Sequence, residues 1–180
     1  GKTMQHGWIK VAAAAPEIKV AQCDYNAQQI IQQIKQLERE GVKLLVFPEL
    51  CLTGYTCNDL FLQPALLNAA QKALQEILAA TRQMSMLIAV GLPVETEGKL
   101  YNCAALLQAG KLLGLVPKRH LPNYGEFYEQ RHFVPAPEQN QTILWGGETV
   151  PFGSKLLFAC RELPSLRVAV EICEDLWVPS

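Results

Sequence analysis

The apolar positions of this chain follow two rhythms. Over residues 26–40, Ile30, Ile31, Ile34 and Leu37 recur at helical spacing, and over 64–83 so do Leu67, Ala70, Leu74, Ile77 and Leu78. A period near 3.6 puts each set on one face, so both segments are expected to be amphipathic helices. Asn26 is the expected N-cap of the first and Gly41 its stop, while Pro64 suits the first turn of the second. The other rhythm is a series of short apolar runs at 8–14, 42–47, 86–94, 100–108, 111–116, 156–160 and 166–173. Each reads as a strand. The pairs Glu97-Gly98 and Ala109-Gly110 mark antiparallel hairpins between the middle ones. A polar, proline-containing stretch over 122–140 is expected to be irregular, and an irregular stretch of that length in a compact domain is usually functional. The alternation predicts an α/β fold on a mixed sheet, without internal repeats.

Strand ends are where the chemistry collects. VKLLVFPELCLT, from Val42 to Thr53, delivers Glu49 just past an apolar run; LLGLVPKRHLPNY, from Leu112 to Tyr124, delivers Lys118 after Pro117; LRVAVEICEDLW, from Leu166 to Trp177, ends on Cys173 between acids. A carboxylate, an ammonium and a thiol thus stand at the ends of separate strands, and in open α/β sheets such ends are where ligands bind. Cys173 is the candidate nucleophile, since a buried strand followed at once by polar helix-starting residues presents its last side chain at the sheet edge. Taken singly, each residue has a plainer reading. Cys173 could fill core space, Glu49 could be a solvated loop acid, and Lys118 could form an exposed charged pair with Arg119. His120 offers a Cys–His alternative, ranked below Lys118 because no papain-like or caspase-like motif surrounds Cys173.

Composition narrows the partners. With 180 residues, 49% hydrophobic and 18% charged, the chain is the size and type of one globular domain. A formal net charge of −1 provides no basic footprint for nucleic acid or an anionic membrane, so a small-molecule partner is expected. No apolar run approaches the roughly 20 residues of a membrane span, and no basic-then-apolar leader opens the chain, which favours the cytoplasm. The six cysteines show no CxxC spacing and the three histidines no HExxH, so reduced thiols and no metal site are expected.

The segments FPEL, PKRHLPNYGEFYE and EICEDLW together resemble the three signature regions of the nitrilase, or carbon–nitrogen hydrolase, superfamily. PELCLTGYTCNDLF and HLPNYGEFYEQRHF are most similar to the glutaminase domain of the glutamine-dependent NAD synthetases. This resemblance runs over nearly the whole chain and implies an α-β-β-α four-layer sandwich. On that reading residues 1–180 are the N-terminal part of the glutaminase domain, truncated just after the nucleophile elbow, with a sheet face left for a partner or a homo-oligomer to cover. It also implies the catalytic set Glu49, Lys118 and Cys173. Glu49 would shuttle the proton, and Lys118 with the backbone N–H of Glu174 would hold the oxyanion. Glu126 resembles a supporting carboxylate, and Tyr55, Tyr124 and Glu174 resemble glutamine-pocket residues. The implied reaction is glutamine hydrolysis through a cysteine thioester. Its ammonia would pass to a C-terminal synthetase domain of the same polypeptide, absent from this chain, which uses ATP and Mg²⁺ to amidate deamido-NAD; no cofactor is expected in the chain itself. The alternatives are another branch of the superfamily, such as an ω-amidase or N-carbamoyl amidase, or a non-catalytic assembly module.

Overall fold

The computed structural model describes residues 2–4, 9–119, 132–154 and 156. They form one eight-stranded mixed sheet in the order β1-β2-β3-β4-β5-β6-β8-β7. The strands are β1 (Lys2–Met4), β2 (Ile9–Ala13), β3 (Leu44–Val46), β4 (Leu87–Thr96), β5 (Lys99–Gln108), β6 (Lys111–Pro117), β7 (Gln141–Trp145) and β8 (Glu148–Phe152). The described residues also form two helices, α1 (Cys23–Arg39) and α2 (Pro64–Ala80), and a 3-10 turn at Asn58–Leu62. β2, β3 and β4 run parallel through helical crossovers, and β4, β5 and β6 form an antiparallel meander.

Both helices lie on one face of the sheet. Ile30 and Ile34 of α1 and Leu74 and Ile77 of α2 are fully buried in a cluster with Leu45, Ile88, Val90, Ala105, Leu107 and Leu115. The strand neighbours of those residues point the other way. Val11, Leu44, Val46, Leu87, Ala89, Ala104, Leu106 and Val116 build a second, smaller cluster on the opposite face. Sheet residues buried on both faces read as near-continuous apolar runs, which is why 86–94 and 100–108 carry so little alternation.

The expected helices and hairpins hold. The hairpin turns sit at Glu97-Gly98 and Ala109-Gly110, all four residues with positive φ as a tight two-residue turn requires. Gly41 closes α1 with a φ of 82°. The cap of α1 is different from the expectation. The helix starts three residues before Asn26, and its N-cap, Gln22, makes no side-chain cap bond. Asn26 is instead fully buried inside the helix, where its amide bridges the Lys19 backbone N–H and C=O, each at 2.8 Å, and the Leu52 carbonyl at 3.0 Å. The β7–β8 hairpin was not anticipated by the run pattern. The strands expected over 156–160 and 166–173 lie outside the described residues, as does most of the 122–140 stretch.

Pro93 shows how the sheet accommodates a residue that cannot donate. The pairing of β3 with β4 stops at Val46 opposite Ala89. Pro93 falls where β4 has outrun β3, so its missing N–H breaks no ladder bond on that side.

Candidate active site

The turn at 48–54 carries Glu49 over the edge of β4. Phe47 N–H bonds the Ala89 carbonyl at 2.9 Å, and Leu52 N–H bonds the Gly91 carbonyl at 3.1 Å, so the intervening residues arch across Gly91. The arch closes on itself through Cys51 N–H to the Pro48 carbonyl and Gly54 N–H to the Leu50 carbonyl. Leu50 takes a left-handed φ of 52°, unusual for a bulky side chain, and is held there by complete burial. Gly91 lies directly under the arch. A Cβ there would stand 2.7 Å from the Pro48 carbonyl oxygen and 3.0 Å from the Glu49 carbonyl carbon, and closer still to the Leu50 nitrogen. Asn26 and Ala21 tie the far side of the arch to the start of α1, through the Leu52 and Thr53 carbonyls.

Lys118 is placed by the meander. Cys103 pairs with Pro117 in the β5–β6 register, and the next pair in that ladder is Asn102 with Lys118, whose N–H bonds the Asn102 carbonyl at 2.8 Å. Directly opposed residues of an antiparallel pair share a face, so the two side chains rise together. They continue the parity of Ala104 and Val116, on the sheet face away from the helices. The Lys118 carbonyl accepts the Ala136 N–H at 2.9 Å, which holds the residue from its other side. Four residues before Ala136, His132 packs on Phe61 and meets Asp59 at 3.2 Å.

There the two arms meet. Lys118 Nζ lies 2.8 Å from Glu49 Oε1, with the lysine side chain 8% and the glutamate side chain 16% exposed. Asn102 Nδ2 donates to the same oxygen. An ion pair so far out of water is held only when its geometry and additional hydrogen bonds offset the lost solvation, and Asn102 supplies such a bond. Two residues 69 apart in sequence thus form one charged unit at the edge of the sheet.

Of the residues singled out in the sequence, Glu49 and Lys118 are in direct contact. Tyr55 lies on the loop that follows the arch, 36% exposed. Cys173, Glu126, Tyr124, Glu174 and the alternative His120 lie outside the described residues. Asn102 was missed by sequence reasoning. The available signal was a lone amide inside LYNCAALL, an otherwise apolar run, where a buried polar group demands a partner. The four described cysteines, Cys23, Cys51, Cys57 and Cys103, are unpaired and buried. Burial pushes the Cys51 thiol up to about 12 and, with the neighbouring Cys57 and Asp24 charges, Cys23 up to about 11, so these thiols are protonated at neutral pH. Among the described residues no group of histidine, cysteine and acid side chains is placed to hold a metal, and no helix is long and apolar enough to cross a membrane.

Residues 10–180 match the carbon-nitrogen hydrolase family, and the chain belongs to it. Over 175 residues it is 39% identical to the glutamine-dependent NAD(+) synthetase of Mycobacterium tuberculosis H37Rv, a match covering 97% of this chain and 26% of that protein. Its Xylella fastidiosa counterpart is 36% identical over 171 residues, covering 94% of this chain and 28% of the relative. In structure, a glutamine-dependent NAD(+) synthetase from Cytophaga hutchinsonii superposes with a TM-score of 0.74 at 32% identity, over 84% of this chain and 25% of that one. An amidase from Nesterenkonia sp. shares the fold, with a TM-score of 0.60 at 22% identity over 79% of this chain and 54% of that one. The chain therefore spans about a quarter of the length of the curated relatives it matches. Its mixed α/β sheet with helices on one face is the nitrilase-like arrangement of these structural neighbours.

Proposed function

We propose that this chain is the amide-hydrolysing part of a glutamine-dependent NAD synthetase, taking ammonia from glutamine. The observation that carries the reading is the Lys118–Glu49 pair at 2.8 Å, which joins two of the three motif regions at one sheet edge in a carbon-nitrogen hydrolase. The identity to glutamine-dependent NAD synthetases over nearly the full chain supports glutamine among the amides the family's chemistry admits.

An amide is a weak electrophile, and each residue answers one part of that problem. Glu49 takes the proton of the Cys173 thiol as sulfur attacks the γ-carbonyl carbon, and the oxyanion forms beside the Lys118 ammonium and the Glu174 N–H. Glu49 then returns the proton to the amide nitrogen, the C–N bond breaks, and ammonia leaves behind a γ-glutamyl thioester. Water, deprotonated by the same carboxylate, adds to the thioester, and glutamate departs as the thiol is restored. Lys118 keeps its positive charge throughout and stabilises whichever neighbour is anionic. Glu126 supports this pair, and Tyr55, Tyr124 and Glu174 line the glutamine pocket.

The consumer of ammonia is the synthetase domain in the remainder of the parent polypeptide, where ATP and Mg²⁺ activate the carboxylate of deamido-NAD. The parent works in the cytoplasm as a homo-oligomer. The test supplies the full-length protein with glutamine, ATP, Mg²⁺ and deamido-NAD, and compares it with Cys173→Ala. The mutant is expected to make NAD from ammonium salt but none from glutamine. NAD formation from glutamine by the mutant overturns the mechanism, and hydrolysis of ω-amides or N-carbamoyl compounds in place of glutamine by the wild type assigns another branch of the family.

A further inference from the structure

We propose that Asn102 is the positioning residue of the Glu49–Lys118 pair, a role that rests on the glutamine-hydrolysing reading above. One residue holds both partners. Its backbone carbonyl accepts the Lys118 N–H at 2.8 Å and so fixes the strand position from which the ammonium reaches out. Its side-chain Nδ2 donates to Glu49 Oε1, the oxygen that Lys118 Nζ also contacts. Carboxylate oxygen, ammonium and amide therefore converge on Oε1, with the amide anchored on the β5 backbone.

The amide is committed to this task. Asn102 is 1% exposed, and its Oδ1 has no hydrogen-bond partner among the described residues. A buried amide that leaves its own acceptor unmatched while pointing its donor at a carboxylate is oriented by that carboxylate, since the flipped amide would set oxygen against oxygen. Structural economy alone would select an apolar residue here, as at Ala104 and Leu106 on the same face of β5. The chemical consequence concerns Glu49. Two donors on Oε1 favour the ionised carboxylate.

The residue just past β6, Lys118, faces the Glu49 carboxylate, β5 faces it with Asn102, and β4 supports the arch with the Gly91 backbone. Cys51, on the arch itself, turns its thiol to the Gly91 carbonyl. Cys173 and Glu126, also assigned to the site, are unchanged in the variants that follow.

The experiment measures glutamine hydrolysis by the full-length protein as a function of pH for wild type, Asn102→Ala and Asn102→Asp. Loss of a donor to the charged form of Glu49 raises the pH at which it protonates. The acid limb of kcat/KM is expected to move upward by about one pH unit in Asn102→Ala, with kcat down about 10- to 100-fold and KM within about twofold. Asn102→Asp keeps the side chain's shape and serves as the second variant; its carboxyl and that of Glu49 share a proton up to higher pH, which moves the limb in the same direction. Folded variants whose acid limb coincides with that of wild type overturn the role of Asn102, even if their melting temperature falls. A wild type that hydrolyses no glutamine at any pH overturns the underlying reading.

Discussion

Gly91→Ala adds a single methyl group under the arch that carries Glu49, and its effect can be worked from the contacts. The new Cβ would stand 2.7 Å from the Pro48 carbonyl oxygen and 3.0 Å from the Glu49 carbonyl carbon. All the atoms it meets are backbone, so no side chain can rotate away. Restoring an ordinary separation of about 3.5 Å moves the arch by on the order of 1 Å. That motion pulls against the Leu52 N–H bond to the Gly91 carbonyl and against the Leu50 packing. Overpacking of this kind costs about 1–3 kcal/mol of stability. The larger effect falls on rate, because a misplacement of about 1 Å at a catalytic group costs on the order of 100-fold. Urea unfolding followed by far-ultraviolet circular dichroism measures the first, and ammonia release from glutamine by the full-length protein measures the second. A Gly91→Ala protein with wild-type stability and turnover would refute the arch as the device that places Glu49.

Other outcomes follow from the same contacts. Asn26→Ala strands the Lys19 N–H and C=O and frees the Leu52 carbonyl, so the unfolding free energy is expected to fall by about 2–4 kcal/mol in a denaturant titration. Lys118→Ala and Lys118→Arg should each lower glutamine turnover by about 10²- to 10⁴-fold, since a planar guanidinium does not replace a compact ammonium beside Glu49; near-normal activity in the arginine variant would contradict the placement. Burial raises the folded-state thiols of Cys51 and Cys23 to about 12 and about 11 from an ordinary 9.0. Their contribution to stability is therefore complete below pH 9 and declines as pH climbs from 9 toward 11 and 12, which pH-dependent unfolding of Cys51→Ala against wild type would detect as a shallower alkaline loss.

What the sequence disclosed and what it hid follow one physical division. Features set by local stereochemistry were legible. Glu97-Gly98 and Ala109-Gly110 demanded positive φ, and Gly41 ended a helix, because few residues tolerate that backbone. The strand ends that deliver Glu49 and Lys118 were legible too, since an apolar run closing on proline and then a charge is a local pattern. Features decided by tertiary contact were not. Asn26 has the chemistry of a cap but spends it bridging Lys19 and Leu52, a choice visible only once the arch is packed on α1. The β7–β8 hairpin escaped because its apolar alternation is poor, with Leu144 77% exposed beside buried Ile143. Asn102 escaped because its meaning depends on the β5–β6 register, which sets it opposite Lys118.

We propose that Cys173, acting with the Glu49–Lys118 pair, attacks the glutamine side chain. Intact-mass and peptide mass spectrometry of the full-length protein, treated with a glutamine-mimicking electrophile at neutral pH, tests it most directly. The account predicts one covalent adduct, on Cys173, suppressed by excess glutamine and absent in Cys173→Ala, with the buried thiols of Cys23, Cys51, Cys57 and Cys103 unmodified. An adduct on any of those four, or no adduct on Cys173 in a protein that still hydrolyses glutamine, would contradict it.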